Sequence, residues 1–334
     1  MIISRTPFRV SFFGGGTDYP GWFNGNKGAV LATTIDKYCY ITCRYLPPFF
    51  EHKSRIIYSR MEHVQVSVDE IQHPAVREVL KFLNIHEGIE IHHDGDLPAR
   101  TGLGSSSSFT VGLLNALYAL KGIMVTKERL AQEAILIEQE KCQENVGCQD
   151  QTLAAYGGFN CIEFGGSEHL QVRKVTLPRE RLNALQDHLM MFFTGFSRTA
   201  SEIAAHQVQN IPNKTKELTE MYQMVTKAVD ILNSNDDLDR FGKLLHESWK
   251  LKRSLSNKVS TSHIDELYNA ALQAGAQGGK LLGAGGGGFL LLFVHPDKQK
   301  KVREQFKNLL SIPFRFENLG TQIIFYQPGT GKVV

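Results

Sequence analysis

The chain has 334 residues, 42% of them hydrophobic and 21% charged, with 37 lysines and arginines against 34 aspartates and glutamates. This is ordinary globular composition with enough chain for about two cores; the net charge of +3 is interspersed rather than clustered, which excludes a dedicated nucleic-acid surface, and no apolar run approaches the roughly 18 residues of a membrane span. Five cysteines (Cys39, Cys43, Cys142, Cys148, Cys161) form no C-x-x-C pair and Met1 leads straight into a strand pattern without a signal peptide, so a reduced, cytoplasmic protein is expected.

From the N-terminus, residues 10–12 read as a strand running into Gly14-Gly15-Gly16, a turn that presents Thr17, Asp18 and Tyr19. A hydroxyl, a carboxylate and a phenol on a glycine turn suit hydrogen bonding to a polyhydroxylated ligand, although a plain Asp-bearing turn between strands has the same appearance. Residues 30–46 form a long strand, shorter β-rich runs recur at 55–59, 64–68 and 89–92, and 74–83 is a helix with proline at its start.

Residues 97–108 then read Leu-Pro-Ala-Arg-Thr-Gly-Leu-Gly-Ser-Ser-Ser-Ser, followed at once by a helix with Phe109, Leu113, Leu114, Leu117 and Leu120 on one face and Gly122 as its stop. Glycines let backbone approach a ligand closely. The serines open a helix whose first amides lack intrahelical acceptors, a place that binds phosphate. A plain turn and N-cap is the bland alternative.

Thr126 caps the next helix, which carries Leu130, Ala134 and Ile137 and ends near Glu138. After Gly147-Cys148-Gln149, Asp150 begins another helical segment. Asp150 is either an N-cap or a functional carboxylate, and Glu138 either a solvated helix residue paired with Lys141 or a second functional carboxylate. Beside a phosphate loop, the pair matches what phosphoryl transfer needs: one carboxylate for a metal, one for the proton of the attacking hydroxyl.

Residues 159–164 are a strand, and the polar stretch 177–186 marks a boundary. Beyond it come strand 188–193 and amphipathic helices marked by Leu218, Met221, Val225, Val229 and Leu232, by Leu244, Leu245, Trp249 and Leu255, and by Ile264, Leu267 and Ala271. Gly283 to Gly288 literally match the dinucleotide fingerprint. Helix-like 262–275 precedes them and strand-like 289–294 follows, the reverse of what that motif needs. Gly279-Lys280 and Gly331-Lys332 lack the following hydroxyl of the usual phosphate loop. The glycine cluster is therefore read as a second wall of backbone around a ligand rather than a bare hairpin. Helix 297–310 and strands 313–316 and 321–326 complete an α+β sandwich, divided into residues 1–178 and 187–334.

Three ordered motifs identify the chain as a member of the galactokinase–homoserine kinase–mevalonate kinase–phosphomevalonate kinase (GHMP) superfamily. Pro7-Phe8-Arg9-Val10 through Gly14-Gly15-Gly16-Thr17-Asp18-Tyr19 resembles its sugar-binding motif, with Gly14-Gly15-Gly16 in place of the usual Gly-Glu-His. Pro98 through Gly102-Leu103-Gly104-Ser105-Ser106-Ser107 resembles its ATP loop, and Gly283 to Gly288 its C-terminal glycine loop. The resemblance implies a ribosomal protein S5 domain 2-like N-terminal domain and a ferredoxin-like C-terminal one, with ATP and Mg²⁺ between them. It places ATP at Gly102, Leu103, Gly104, Ser105, Ser106, Ser107 and Ser108, and the metal at Ser106 and Glu138. It makes Asp150 the catalytic base, with Arg9 near the transferred phosphate. The acceptor falls to Gly15, Gly16, Thr17, Asp18, Tyr19, Asp150, Gly285, Gly286 and Gly287.

Within the superfamily, 194–202 and Trp249-Lys250-Leu251-Lys252-Arg253 resemble D-glycero-D-manno-heptose 7-phosphate kinases, as do Gly14 to Asp18 and Gly279 to Gly283. That implies phosphorylation of an anomeric hydroxyl, giving the 1,7-bisphosphate for nucleotide-heptose and surface polysaccharide. Arg198, after a strand end and Gly195, is the favoured anchor for a distal phosphate, ahead of Lys27, Lys37, Arg44, Lys252 and Arg253. L-Fucokinase, or another hexose 1-kinase, shares much of the pattern. A non-catalytic sugar sensor on the same scaffold would have no use for Arg9, Glu138 and Asp150 together. The expected partners are ATP and a sugar phosphate, with neither nucleic acid nor membrane, and oligomerisation is compatible with the sequence.

Overall fold

The computed structural model describes residues 1–165, 170–195 and 200–328, which build one sheet of nine strands and another of four. The larger sheet opens with strand Ile2–Phe13, much longer than the strand at 10–12 that the sequence suggests. Ser4, Thr6 and Pro7 hide it by interrupting the apolar alternation. Both hydroxyls are nevertheless inside and satisfied: Ser4 Oγ donates to Gly112 O at 2.8 Å, and Thr6 Oγ1 meets Thr321 Oγ1 at 2.8 Å. Pro7 stands at a register shift, where a residue without an N–H is tolerated.

Strand Gly28–Tyr45 is the spine of this sheet. It pairs with Ile2–Phe13, with Ile89–Gly95 through its C-terminal half and with Phe159–Phe164 through its N-terminal half. Ser54–Ile57 and Met61–Val64 extend one edge, and Leu170–Lys174 flanks Phe159–Phe164. The strand expected at 64–68 is thus displaced to 61–64, because Ser67 and Glu70 form a capping box that turns the chain at Val68–Glu70.

Helix Ser105–Leu120 lies across the first two strands and is buried nearly all round, not on one stripe. Helices Pro74–Phe82, Lys127–Leu136 and Gln149–Tyr156 cover its remaining faces. Gly112 brings it close to the sheet, since a Cβ there would stand 2.7 Å from Thr6 Oγ1.

The smaller sheet sets Leu310–Ser311, Leu189–Phe193, Phe289–Val294 and Ala276–Leu281 side by side. Its fourth, first, third and second strands are therefore neighbours, the ferredoxin-like order the resemblance implies. Four helices (Ala200–Asn210, Thr215–Asn233, Asp239–Ser254, Ser262–Ala274) separate its first and second strands. Ala276–Leu281 is invisible to pattern reading because Gly278 and Gly279 break it. The structure explains Gly278: a Cβ there would lie 2.0 Å from Gly242 O on the helix packed against it.

Strand pairing crosses the expected division into 1–178 and 187–334. Phe316–Glu317 pairs with Gly28–Tyr45, and Gln322–Tyr326 with Ile2–Phe13, so the last strands return to the first sheet. The polar stretch 177–186, read as the boundary, holds most of helix Arg179–Asp187, anchored by buried Leu185. One core runs across both sheets. Phe12 packs edge-on against Phe159 (5.7 Å) and Phe241 (5.6 Å), and Phe13 against Phe241 (5.1 Å). No helix among the described residues is long and apolar enough to cross a membrane.

Candidate active site

Two glycine-rich loops, one from each sheet, meet backbone to backbone. The first enters helix Ser105–Leu120 through Gly104, the N-cap, at a left-handed φ of 73°. The second is the hairpin connection between Ala276–Leu281 and Phe289–Val294. A strand therefore precedes it, not the helix read from sequence, but no helix follows, and the dinucleotide pattern still fails. A Cβ on Gly283 would lie 2.3 Å from Gly102 Cα, and one on Gly102 would lie 2.3 Å from Leu282 O. No side chain fits there. Behind the second loop, Gly286 N–H donates to Val259 O (3.0 Å), Thr194 N–H to Gly288 O (2.8 Å) and Gln207 Nε2 to Ala284 O (2.6 Å).

The four serines divide by role. Ser106 is exposed on the first helical turn, where amides lack intrahelical acceptors. Ser105 Oγ accepts from Arg100 N–H (3.1 Å) and Ser107 Oγ donates to Glu138 (2.8 Å). Ser108 is a correction to the sequence reading: its hydroxyl donates to Pro7 O (2.9 Å) and its N–H to Gly104 O (2.9 Å), leaving it nothing to offer a nucleotide. The Leu103 side chain is in the core, and its carbonyl accepts from Arg9 N–H at 3.0 Å.

Directly beneath Gly104, strand Ile2–Phe13 presents Arg9 and the first turn of helix Gln149–Tyr156 presents Asp150. Arg9 Nε and Nη2 donate to the two carboxylate oxygens at 2.7 Å each, and Nη1 donates to Gly102 O at 2.6 Å. Three of its five N–H donors are thereby fixed. A Cβ on Gly104 would stand 3.1 Å from Arg9 Cγ and 3.3 Å from Asp150 Oδ2. The Asp150 carboxylate and the N-terminus of helix Ser105–Leu120 are thus adjacent. Arg9 is 5% exposed, and its fork orients Asp150 rather than facing an open phosphate position.

Glu138 is not the solvated, Lys141-paired residue that the sequence allowed. It is 1% exposed, on a π-turn spanning Ile137–Lys141, an irregularity common at functional sites. Thr110 Oγ1 donates to Oε1 (2.7 Å), while Ser107 Oγ (2.8 Å) and Gln151 Nε2 (2.5 Å) donate to Oε2. Burial pushes its carboxyl up to about 7 against the pull of those donors. Gln151 Oε1 beside it is buried without a partner among the described residues. A carboxylate, hydroxyls and an unsatisfied amide oxygen form a hard-oxygen set of the kind magnesium takes.

The N-terminal turn departs from expectation at Thr17. Its hydroxyl is fully buried, bonding to Gly14 O (2.8 Å) and Ala29 O (2.9 Å) and accepting from Ala29 N–H (3.0 Å), so it holds the turn and presents nothing. Asp18 is 1% exposed; its Oδ1 accepts from Gly16 N–H at 2.9 Å, and Cys148 N–H donates to its backbone carbonyl at 2.9 Å. Burial raises its carboxyl pKa, the Gly16 N–H opposes this and the charge of Asp150 adds to it. Tyr19 packs against the apolar cluster of Trp22, Ile211, Leu218, Met221 and Leu255. Gly285 and Gly287 are buried and Gly286 is half-buried in the second loop. Arg198 lies outside the described residues.

Two lysines meet at this seam: Lys252, read from sequence only as a lesser candidate for the phosphate anchor, and Lys280, which the sequence reading did not single out as a site residue. Lys252 Nζ donates to Gly283 O and to Leu281 O (3.3 Å), bracing the second loop. Lys280 Nζ donates to Phe12 O at 2.8 Å, tying the smaller sheet to the larger. Burial, reinforced by Arg9, brings the Lys252 ammonium down to about 8 against the pull of Asp18 and Asp150. Burial, then Lys252 and Arg9, lowers the Lys280 ammonium well below the ordinary lysine range, with Asp18 opposing. Both lie in segments that carry the resemblance, 249–253 and 279–283, but nothing in those segments signals that the ammonium groups are buried. A cleft elsewhere of about 690 Å³, lined by residues such as Lys227, Arg240 and Glu247, shares none of these groups. Size alone does not mark the chemistry.

A helix terminus suited to phosphate, abutting a carboxylate whose orientation an arginine fixes, is the layout of a phosphotransferase. Comparison with known proteins agrees. Residues 71–158 match the GHMP kinases N terminal domain, and 228–312 the GHMP kinases C terminal domain. A D-glycero-alpha-D-manno-heptose 7-phosphate kinase from Campylobacter jejuni is 28% identical over 308 residues, 89% of this chain and 91% of that one. A mevalonate kinase from Pyrococcus abyssi is 30% identical over 241 residues, 70% of this chain and 67% of that one. The solved structure of a D-glycero-D-manno-heptose 1-phosphate kinase from Bacteriodes thetaiotaomicron has a TM-score of 0.72 at 22% identity, covering 96% of this chain and 98% of that one. The chain belongs to the GHMP kinase family and is an ATP-dependent kinase.

Proposed function

We propose that this kinase transfers the γ-phosphoryl group of ATP to the anomeric hydroxyl of a sugar, with D-glycero-D-manno-heptose 7-phosphate as the preferred acceptor. The product would be the 1,7-bisphosphate, an intermediate for nucleotide-activated heptose and surface polysaccharide. The observation that carries the reaction is the seat of Asp150: clamped by Arg9, it lies under the Gly104 terminus where a nucleotide phosphate would rest. Similarity to the Campylobacter jejuni enzyme along nearly the full length of both chains supports the acceptor.

In this reading the nucleotide phosphates sit on the free amides of Ser105, Ser106 and Ser107, between the two glycine loops. A carboxylate offers about four lone-pair positions, so the Arg9 clamp leaves Asp150 capacity to take the proton of the attacking hydroxyl. As the sugar oxygen bonds to the γ-phosphorus, the bond to the bridging oxygen of ADP breaks and the proton passes to Asp150. Magnesium, when bound, neutralises charge across the phosphates; Glu138 and Ser106 would hold it, with Ser107, Thr110 and Gln151 orienting the carboxylate. Glu138→Gln should raise the Mg²⁺ concentration for half-maximal rate at least several-fold. An unchanged titration in a folded variant would leave Glu138 a structural residue.

The acceptor is tested by measuring ADP release with heptose 7-phosphate, mannose and fucose side by side. A kcat/KM at least tenfold higher for heptose 7-phosphate is expected, since a remote phosphate orients the reacting centre. Preference for free fucose or mannose would make the protein a hexose 1-kinase instead.

A further inference from the structure

Gly15 differs from the glycines on either side of it. Gly14 has a φ of +82° and a Cβ there would lie 1.8 Å from Ala29 O; Gly16 has a φ of +113° and its Cβ would crowd Leu218 Cδ2 at 3.3 Å. The backbone at Gly15 is one any residue adopts, and a Cβ would meet nothing nearer than Gln149 Nε2 at 3.7 Å and Ser11 Oγ at 3.8 Å. Neither conformation nor protein packing demands a glycine. The absent side chain leaves a space over the turn, and the groups facing it are polar. Ser11 Oγ and the Gln149 amide border it, the amide through Nε2; Ser11 Oγ and, on the same amide, Gln149 Oε1 are buried, and neither has a hydrogen-bond partner among the described residues. Such orphaned atoms are rare in native proteins and call for an explanation. Gln149 immediately precedes Asp150 on the first turn of its helix, so the space opens beside the base.

We propose that Ser11 and Gln149 recognise a non-reacting hydroxyl of the acceptor, seated over Gly15. This rests on the reading of the cleft as a sugar kinase site with Asp150 as base. The chemistry is complementary: a sugar O–H donates to Gln149 Oε1 while its oxygen accepts from Ser11 Oγ. An apolar substituent gains neither bond and leaves both protein atoms unpaired, which is how a polar site rejects a deoxy analogue. Residue 15 sets the size limit, because any side chain there competes with that hydroxyl for the space.

Gly15→Ala is the informative variant, since the fold accommodates its methyl group. It should keep the wild-type Tm and KM for ATP while the sugar KM rises about tenfold or more. Ser11→Ala should raise the sugar KM about 3–10-fold, the worth of one hydrogen bond. Across a set of monodeoxy acceptors, the sugar lacking the recognised hydroxyl should be handled equally by wild type and Ser11→Ala. A Gly15→Ala enzyme with unchanged KM for both substrates overturns the proposal. So does a Ser11→Ala loss that is equal on every deoxy sugar. Wild-type enzyme that phosphorylates no sugar at all overturns the kinase reading underneath, an outcome distinct from an active wild type with a silent Gly15→Ala.

Discussion

Asp150→Asn should lower kcat by roughly 10²–10⁴-fold, the usual contribution of a positioned general base. The amide keeps the shape of the carboxylate but cannot accept the hydroxyl proton. It also weakens the Arg9 contact: Asn offers one oxygen where Asp150 meets Nε and Nη2 with two. Arg9 retains its bond to Gly102 O, so the turn beneath the ATP loop keeps one tie. ATP affinity should therefore change little while turnover collapses. Near-wild-type turnover in a folded Asn variant would remove Asp150 from the chemistry.

Gly283→Ala should damage stability and nucleotide binding together. Its Cβ would stand 2.3 Å from Gly102 Cα, and φ is +74°, where an L side chain is strained. Left-handed strain and overpacking against immovable backbone together cost roughly 2–5 kcal/mol. The two loops must separate, so nucleotide binding should weaken with stability. A Tm drop on the order of 5 °C or more, with a higher Kd for ATP analogues, is expected. A variant with wild-type Tm and wild-type nucleotide Kd would show that the loops do not bear on each other as described.

Much of this was legible in the sequence because glycine and serine runs are local signals. The glycine- and serine-rich loop at 102–108, the Gly283 to Gly288 run and Asp150 after Gly147 all declare themselves by residue type and spacing. What stayed hidden depends on partners distant in the chain. Ser107 reads as one more serine of the phosphate loop until Glu138, thirty-one residues on, accepts its hydroxyl. Lys252 and Lys280 look like ordinary charged positions until burial and backbone carbonyls surround them. Thr17 reads as an exposed turn hydroxyl, yet the Ala29 backbone captures it. Strand Ala276–Leu281 and the return of Gln322–Tyr326 to the first sheet are likewise tertiary facts, set by Gly242 and by pairing across the whole chain.

The most direct test of the central claim follows ATP, Mg²⁺ and heptose 7-phosphate with the wild-type protein by ³¹P NMR. The site as described predicts loss of the ATP γ-phosphate resonance, in step with ADP formation and a new sugar-phosphate resonance coupled to the anomeric proton. The same conversion should be nearly absent with Asp150→Asn. ATP left intact with heptose 7-phosphate, fucose and mannose alike, or a new phosphate on a hydroxyl other than the anomeric one, would contradict the account.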